Sequence, residues 1–201
     1  MSEFERWETR FSGPEYHFGT EPNAFLKRKA GLLKRGGKAL SIADGEGRNG
    51  VFIAEQGLDV LAMDFSPKAL AKSQALAKAR GVTIKTEQAD LNTWQWPTAA
   101  FDVVVAIFFQ FCAPPLRARV FAGIKGALKP GGLLLMEGYT PKQLEYKTGG
   151  PSEVENLYTR ALLEQSFADF TSLEIEEYDA DIREGAGHGG MSALIDLVGR
   201  K

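Results

Sequence analysis

The ten residues from Ser41 to Gly50, SIADGEGRNG, set Gly45, Gly47 and Gly50 in a G-x-G-x-x-G spacing between an apolar run, KALSIA, and a helical run, RNGVFIAEQ. A strand that turns through glycines directly into a helix is the first half of a βαβ unit, and it commits the chain to a parallel sheet with crossover helices. The sequence that follows repeats the alternation. DVLAMD reads as a strand and PKALAKSQALAKAR as a helix with apolar residues at helical spacing. VTIKTEQ reads as a strand, and the nearly all-apolar FDVVVAIF as a central strand covered on both faces. The helix PPLRARVFAGIKGAL, the turn KPGG and the strand LLLMEGY continue the pattern. Beyond Tyr139 come a polar loop, TPKQLEYKTGGPSEVEN, a helix around LYTRALLEQSF and a strand in TSLEIEEYDADI. A Gly-rich turn, EGAGHGG, and a last strand, SALIDLVGR, end the chain. Two strands joined by a turn predict an antiparallel hairpin at the sheet edge. The alternating acids of LEIEEYDADIREG read as the wet side of an edge strand, and Met63 and Met136 as core.

The glycine spacing alone reads as a dinucleotide fingerprint, yet Asp44 and Glu46 stand beside the glycines. A phosphate loop aims backbone N–H groups and a helix N-terminus at negative charge, and two carboxylates oppose that. They favour a ligand carrying positive charge instead. Nineteen residues after Gly45, Asp64 ends the second strand, where a carboxylate can accept from both hydroxyls of a ribose. Ser66 and Pro67 supply an N-cap and first helical residue of their own, which leaves Asp64 to the ligand. Asp90, in EQADL after the third strand, is placed to reach an adenine amino group.

At 201 residues the chain has the length of one α/β domain, 1–201, with 1–37 as an N-terminal lid or cap segment and 38–201 as the sheet core. A net charge of −2 gives no electrostatic reason to expect a nucleic-acid partner or an anionic membrane. No apolar run approaches membrane-span length, and the acidic, aromatic start MSEFERWETRF is unlike a targeting peptide, so a cytoplasmic location is expected. The single cysteine, Cys112, excludes an internal disulfide and a Cys-based zinc cluster. The two histidines lie far apart in sequence, and no metal is expected.

Taken together, ALSIADGEGRNGVFIAEQGLDVLAMDFS, QADL and LKPGGLLLMEGY resemble the class I S-adenosylmethionine-dependent methyltransferases over most of the chain. More narrowly, GEGRN, the leading WETRFSGPEYHFGTEPNAFL and the tail QLEYKTGGP…EGAGHGGMSALIDLVGRK resemble the small bacterial tellurite-resistance and thiol methyltransferase group. The resemblance implies a Rossmann-like α/β/α sandwich whose seven-stranded, mostly parallel sheet has an antiparallel last strand, with S-adenosyl-L-methionine as cofactor. It implies that Gly45 and Gly47 approach the cofactor's methionine part, that Asp64 holds the ribose, and that Asp90 and Leu91 meet the adenine. Asn49, Phe65 and Ile107 complete the cofactor candidates with Asp44, Glu46 and Arg48. Many class I enzymes carry an acid where this chain has Ser41, so Asp44, directly before the first glycine, is the first choice for the cofactor's ammonium. Arg48 pairs either with Glu46 or with the cofactor's carboxylate.

S-adenosylmethionine has a sulfonium and an ammonium and no phosphate, so an acidic loop suits it better than NAD. Methyl transfer from a sulfonium needs in-line placement above all, and a base only for a nucleophile still protonated at neutral pH. The expected activity is methyl transfer to a small-molecule acceptor, with soft sulfur, selenium or tellurium nucleophiles in view. The loop FFQFCAPP lacks the Asn/Asp-Pro-Pro-Tyr pattern of enzymes that methylate base amines. Tyr16, His17 and His188 are the candidate catalytic residues, and Tyr146 is a further pocket candidate. The aromatic N-terminal segment, with Trp7, Phe11, Tyr16 and Phe18, either packs on the sheet edge or closes over the site as a lid. Alternatives are an O- or N-methyltransferase, an NAD(P)-dependent oxidoreductase, disfavoured by the lack of a Tyr-x-x-x-Lys pair, and a non-catalytic S-adenosylmethionine-binding protein.

Overall fold

The computed structural model describes residues 2–201. Its seven strands form one sheet in the order β3-β2-β1-β4-β5-β7-β6. By its internal contacts the chain divides into two compact units. One holds the residues up to Trp94 together with Glu184–Gly187, and the other holds Gln95–Arg183 and His188–Lys201.

The first unit opens with helix α1 (Glu3–Arg10), started by a reciprocal capping box between Ser2 and Glu5. Helix α2 (Ala24–Arg28) is capped by Asn23 and followed by a 3₁₀ turn, Ala30–Leu32. Strand β1 (Lys38–Ile42), helix α3 (Arg48–Glu55), strand β2 (Asp59–Asp64), helix α4 (Pro67–Ala79) and strand β3 (Lys85–Gln88) then alternate as the sequence predicts. The parallel register sets Leu40 beside Leu61 and Ile42 beside Met63, and then Asp64 beside Gln88. Leu40, Ile42, Val60 and Met63 are all buried, each such side chain contributing about 1.5–3 kcal/mol by leaving water. Ser66 caps α4 through Ala69 N–H, with Pro67 at its first position, as expected.

The second unit comprises β4 (Phe101–Ile107), α5 (Pro114–Ala127), β5 (Leu128–Tyr139), α6 (Gln143–Tyr146), α7 (Arg160–Ser166), β6 (Ser172–Glu184, all but its last residue) and β7 (His188–Arg200). Strand β4 is buried on both faces from Val103 to Ile107. The KPGG turn expected between α5 and β5 lies inside β5: Phe101 pairs with Leu128 and Val103 with Leu133, so the glycines are looped out of the ladder, Gly131 with φ 74°. The polar loop after Tyr139 contains α6 and a 3₁₀ turn, Val154–Asn156, which its composition hides. Strand β7 runs antiparallel to β5, as the family resemblance implies, and β6 is an edge strand without one fully buried residue. The core holds Phe109, Phe121, Tyr158 and Phe167 in edge-on or tilted contacts, with Cys112 buried in the same unit. The Gln110 side chain bonds both Tyr139 N–H and Tyr139 carbonyl, tying the loop after β4 to the end of β5.

Candidate functional site

The acids of the first unit converge where β1 and β2 end. After Ile42 the backbone turns left-handed at Ala43, Gly45 and Gly47, and Gly47 starts α3. A β-carbon on Gly47 would lie 2.7 Å from Ser73 Cα, so only glycine lets the loop pack on α4. At Gly50 the neighbour is a carboxylate: a β-carbon there would stand 2.5 Å from Asp44 Oδ2. Asp44 is buried and its Oδ1 accepts from Ser41 Oγ at 2.6 Å and from Gly50 N–H at 3.0 Å. Burial pushes its carboxyl up to about 7, against the pull of these hydrogen bonds. Ser41 is thus the side-chain donor that anchors Asp44.

Asp64 is also buried, and burial raises its carboxyl above the ordinary range. Its Oδ2 accepts from Gly45 N–H and its Oδ1 from Ser66 N–H, both at 2.9 Å. One carboxylate thus ties the glycine loop to the turn after β2. The Ser66–Pro67 cap does not leave Asp64 idle, because its oxygens face two backbone donors.

Glu46 sits between cations and backbone. Lys72 Nζ lies 2.6 Å from its Oε1, and His17 N–H donates to its Oε2 at 2.6 Å. Arg48 pairs with Glu184 through Nη2 at 2.7 Å, and not with Glu46. Asn49 Oδ1 accepts from Asn23 N–H at 2.9 Å. The N-terminal segment therefore packs on the glycine loop and on the turn after β2. Glu8 bonds Ser66 Oγ and, at 3.2 Å, Lys68 N–H, and Phe4 meets the half-buried Phe65 edge-on with ring centres 5.7 Å apart. Tyr16 donates its hydroxyl to Lys72 carbonyl at 3.1 Å, and burial, with Glu46 nearby, raises its phenol above the ordinary value. Burial and Arg10 lower the His17 imidazole below its ordinary value.

The remaining candidates occupy separate places. Asp90 is exposed and folds a turn by accepting from Asn92 N–H at 2.8 Å, while Leu91 is buried. In the second unit, Ile107 is buried at the end of β4. His188 meets Phe108 edge-on at 4.6 Å and Tyr139 at 6.0 Å, and Tyr146 lies on α6 under Lys142. Tyr16 and His17 belong to the first unit and His188 to the second. Among the described residues no three His, Cys, Asp or Glu side chains are placed to hold a metal ion, and no helix is long and apolar enough to cross a membrane. Glu8, Asn23, Lys72 and Glu184 were missed by sequence reasoning. Their partners lie roughly 26 to 161 positions away, and no local pattern marks them.

Residues 39–132 match the family described as methyltransferase domain. Demethylmenaquinone methyltransferase of Thermus thermophilus is 30% identical over 112 residues, covering 55% of this chain and 50% of that protein. The chain spans about half, or less, of the length of the curated relatives it matches. A SAM-dependent methyltransferase from Methanosarcina mazei superimposes with a TM-score of 0.71 at 16% identity, over 90% of this chain and 98% of the other. The structure described for conversion of a disulfide bond into a thioacetal group during echinomycin biosynthesis gives 0.72 at 18% identity, over 98% and 89%. The chain thus has the Rossmann-like fold of these solved structures, and residues 39–132 are similar to a methyltransferase domain.

Proposed function

We propose that the chain is an S-adenosylmethionine-dependent methyltransferase of a small-molecule acceptor, and that the acceptor is a soft sulfur, selenium or tellurium nucleophile. The observation that carries the cofactor reading is the donor set of the glycine loop. Asp44 and Asp64 are buried carboxyl groups set against the loop, bonded to Ser41 and to the backbone of Gly45, Gly50 and Ser66, so a ligand that brings positive charge offsets the cost of ionising them and a pyrophosphate would add to it. The residues fit S-adenosylmethionine, which when bound supplies a methyl group activated by its sulfonium. Asp44 and the backbone of Gly45 and Gly47 would hold its amino-acid end and Asp64 its ribose, with Asp90 and Leu91 toward the adenine. Glu46 and Asn49 serve that end indirectly, by fastening the N-terminal segment through His17 and Asn23. A cytoplasmic location and the absence of a nucleic-acid partner belong to the same reading.

Two considerations support a soft acceptor. An already ionised nucleophile needs placement and no base, and the half-buried setting of His17, with Arg10 nearby, weakens it as a base. A structure connected with the conversion of a disulfide into a thioacetal is among the structural relatives. Calorimetry with S-adenosylmethionine, S-adenosylhomocysteine and NAD tests the cofactor, and S-adenosylhomocysteine release with soft anions, thiols, phenols and amines tests the acceptor. Binding of the first two ligands, with turnover on thiols or soft anions, is expected. Tight NAD binding would overturn the cofactor reading. Turnover confined to phenols or amines and lost in His17→Ala or His188→Ala would replace the soft-nucleophile reading with general-base O- or N-methylation.

A further inference from the structure

Glu184 collects three donors from two distant stretches of the first unit. Arg48 Nη2 reaches its Oε2 at 2.7 Å, while Asn23 Nδ2 and Ala24 N–H reach its Oε1 at 3.2 Å each. The Arg48 and Glu184 side chains are only 8% and 10% exposed, so the pair is withdrawn from water. Yet Arg48 Nη1 is buried with no hydrogen-bond partner among the described residues. A buried guanidinium amino group without an acceptor is costly, and the planar fork is suited to a second carboxylate. Arg48 stands in the glycine loop, at the first residue of α3, beside the carboxylates already described.

We propose that Glu184 is a positioning residue: it holds Arg48 so that Nη1 receives the carboxylate of the cofactor's amino-acid part, and through Asn23 and Ala24 it closes the N-terminal segment in the same contact. This rests on the cofactor reading above. It makes Glu184 the joint between ligand and lid, since Gly187 N–H also bonds His17 carbonyl at 3.0 Å, fastening the same short stretch to the segment.

The test compares two ligands by calorimetry. S-adenosylhomocysteine has the amino-acid part, and methylthioadenosine keeps the nucleoside and the sulfur without it. Glu184→Gln and Arg48→Gln are each expected to weaken S-adenosylhomocysteine about tenfold or more and methylthioadenosine less than about twofold. A merely structural role moves both ligands together, and equal losses, or none, overturn the proposal. Chymotrypsin, which can cut at Phe11, Tyr16 and Phe18, is expected to cleave Glu184→Gln faster than the parent protein without ligand. Unchanged cleavage overturns the lid half. If the parent protein binds neither ligand, the cofactor reading itself fails, a result distinct from selective or equal losses in the variants.

Discussion

The glycine loop and strand β6 are both acidic, and the same residue type does opposite things in them. In and against the loop, Asp44, Glu46 and, at the end of β2, Asp64 are buried, and each accepts two or more close hydrogen bonds. On β6, Glu174, Glu176, Glu177, Asp179 and Asp181 are exposed, and their ion pairs, such as Lys142 with Asp179, lie in solvent. A carboxylate in water is nearly neutral in free energy, whereas a buried one depends wholly on its donors. The difference shows that acid count says little about a site until burial is known.

The sharpest way to break the contrast is Asp64→Ala. It removes the acceptor for Gly45 and Ser66 N–H groups and is expected to weaken S-adenosylhomocysteine binding by about 2–3 kcal/mol, read by calorimetry. Unchanged affinity in a folded variant would mean that Asp64 has no share in the ligand.

Next comes Gly50→Ala, whose new methyl would meet the Asp44 carboxylate; a destabilisation of about 1–3 kcal/mol in urea unfolding is expected. Gly189, on β7, has nothing within 4 Å of its virtual β-carbon, and Gly189→Ala should cost less than about 0.5 kcal/mol. Equal effects at the two glycines would refute the crowding argument.

Asp44→Asn sharpens the comparison through pH. Because its carboxyl stands at about 7 rather than the ordinary 3.8, the folded chain keeps a proton that the unfolded chain has released between these values. The stability this provides is whole below the ordinary value and is lost as pH rises toward 7. Asn keeps the oxygen that accepts from Ser41 and Gly50 and cannot ionise. The ligand-free variant should therefore melt higher than the parent at pH 8 and alike at pH 4, with weaker cofactor binding. A difference independent of pH would show that Asp44 is already charged in the fold. The smallest effect is expected on β6, where Glu176→Gln should leave both melting temperature and ligand affinity unchanged.

The sheet was legible because its signals are local: strand and helix periods, the Ser66–Pro67 start of α4, and an apolar β4 that only a doubly covered strand explains. KPGG misled because Pro-Gly-Gly has the chemistry of a turn whether the turn ends a helix or, as here, loops out of a strand. The loop residues were legible as a group, through glycine spacing and acid content. What each acid touches was not, since Lys72, His17 and Glu184 reach the loop through tertiary contacts that no sequence period encodes. Arg48 left two partners open on sequence, Glu46 and the cofactor's carboxylate, and the fold supplied a third.

Cys112, buried at 1% exposure in the second unit, is the only thiol in the chain, while the substitutions at Arg48, Asp44, Gly50, Asp64 and Glu184 all fall in the first. Thiol labelling under native conditions is therefore a clock for the opening of one half alone. Set against proteolysis at Phe11, Tyr16 and Phe18, it separates loosening of the N-terminal segment from loss of the whole fold: the first should speed cleavage and leave the labelling rate as it was, and the second should raise both together.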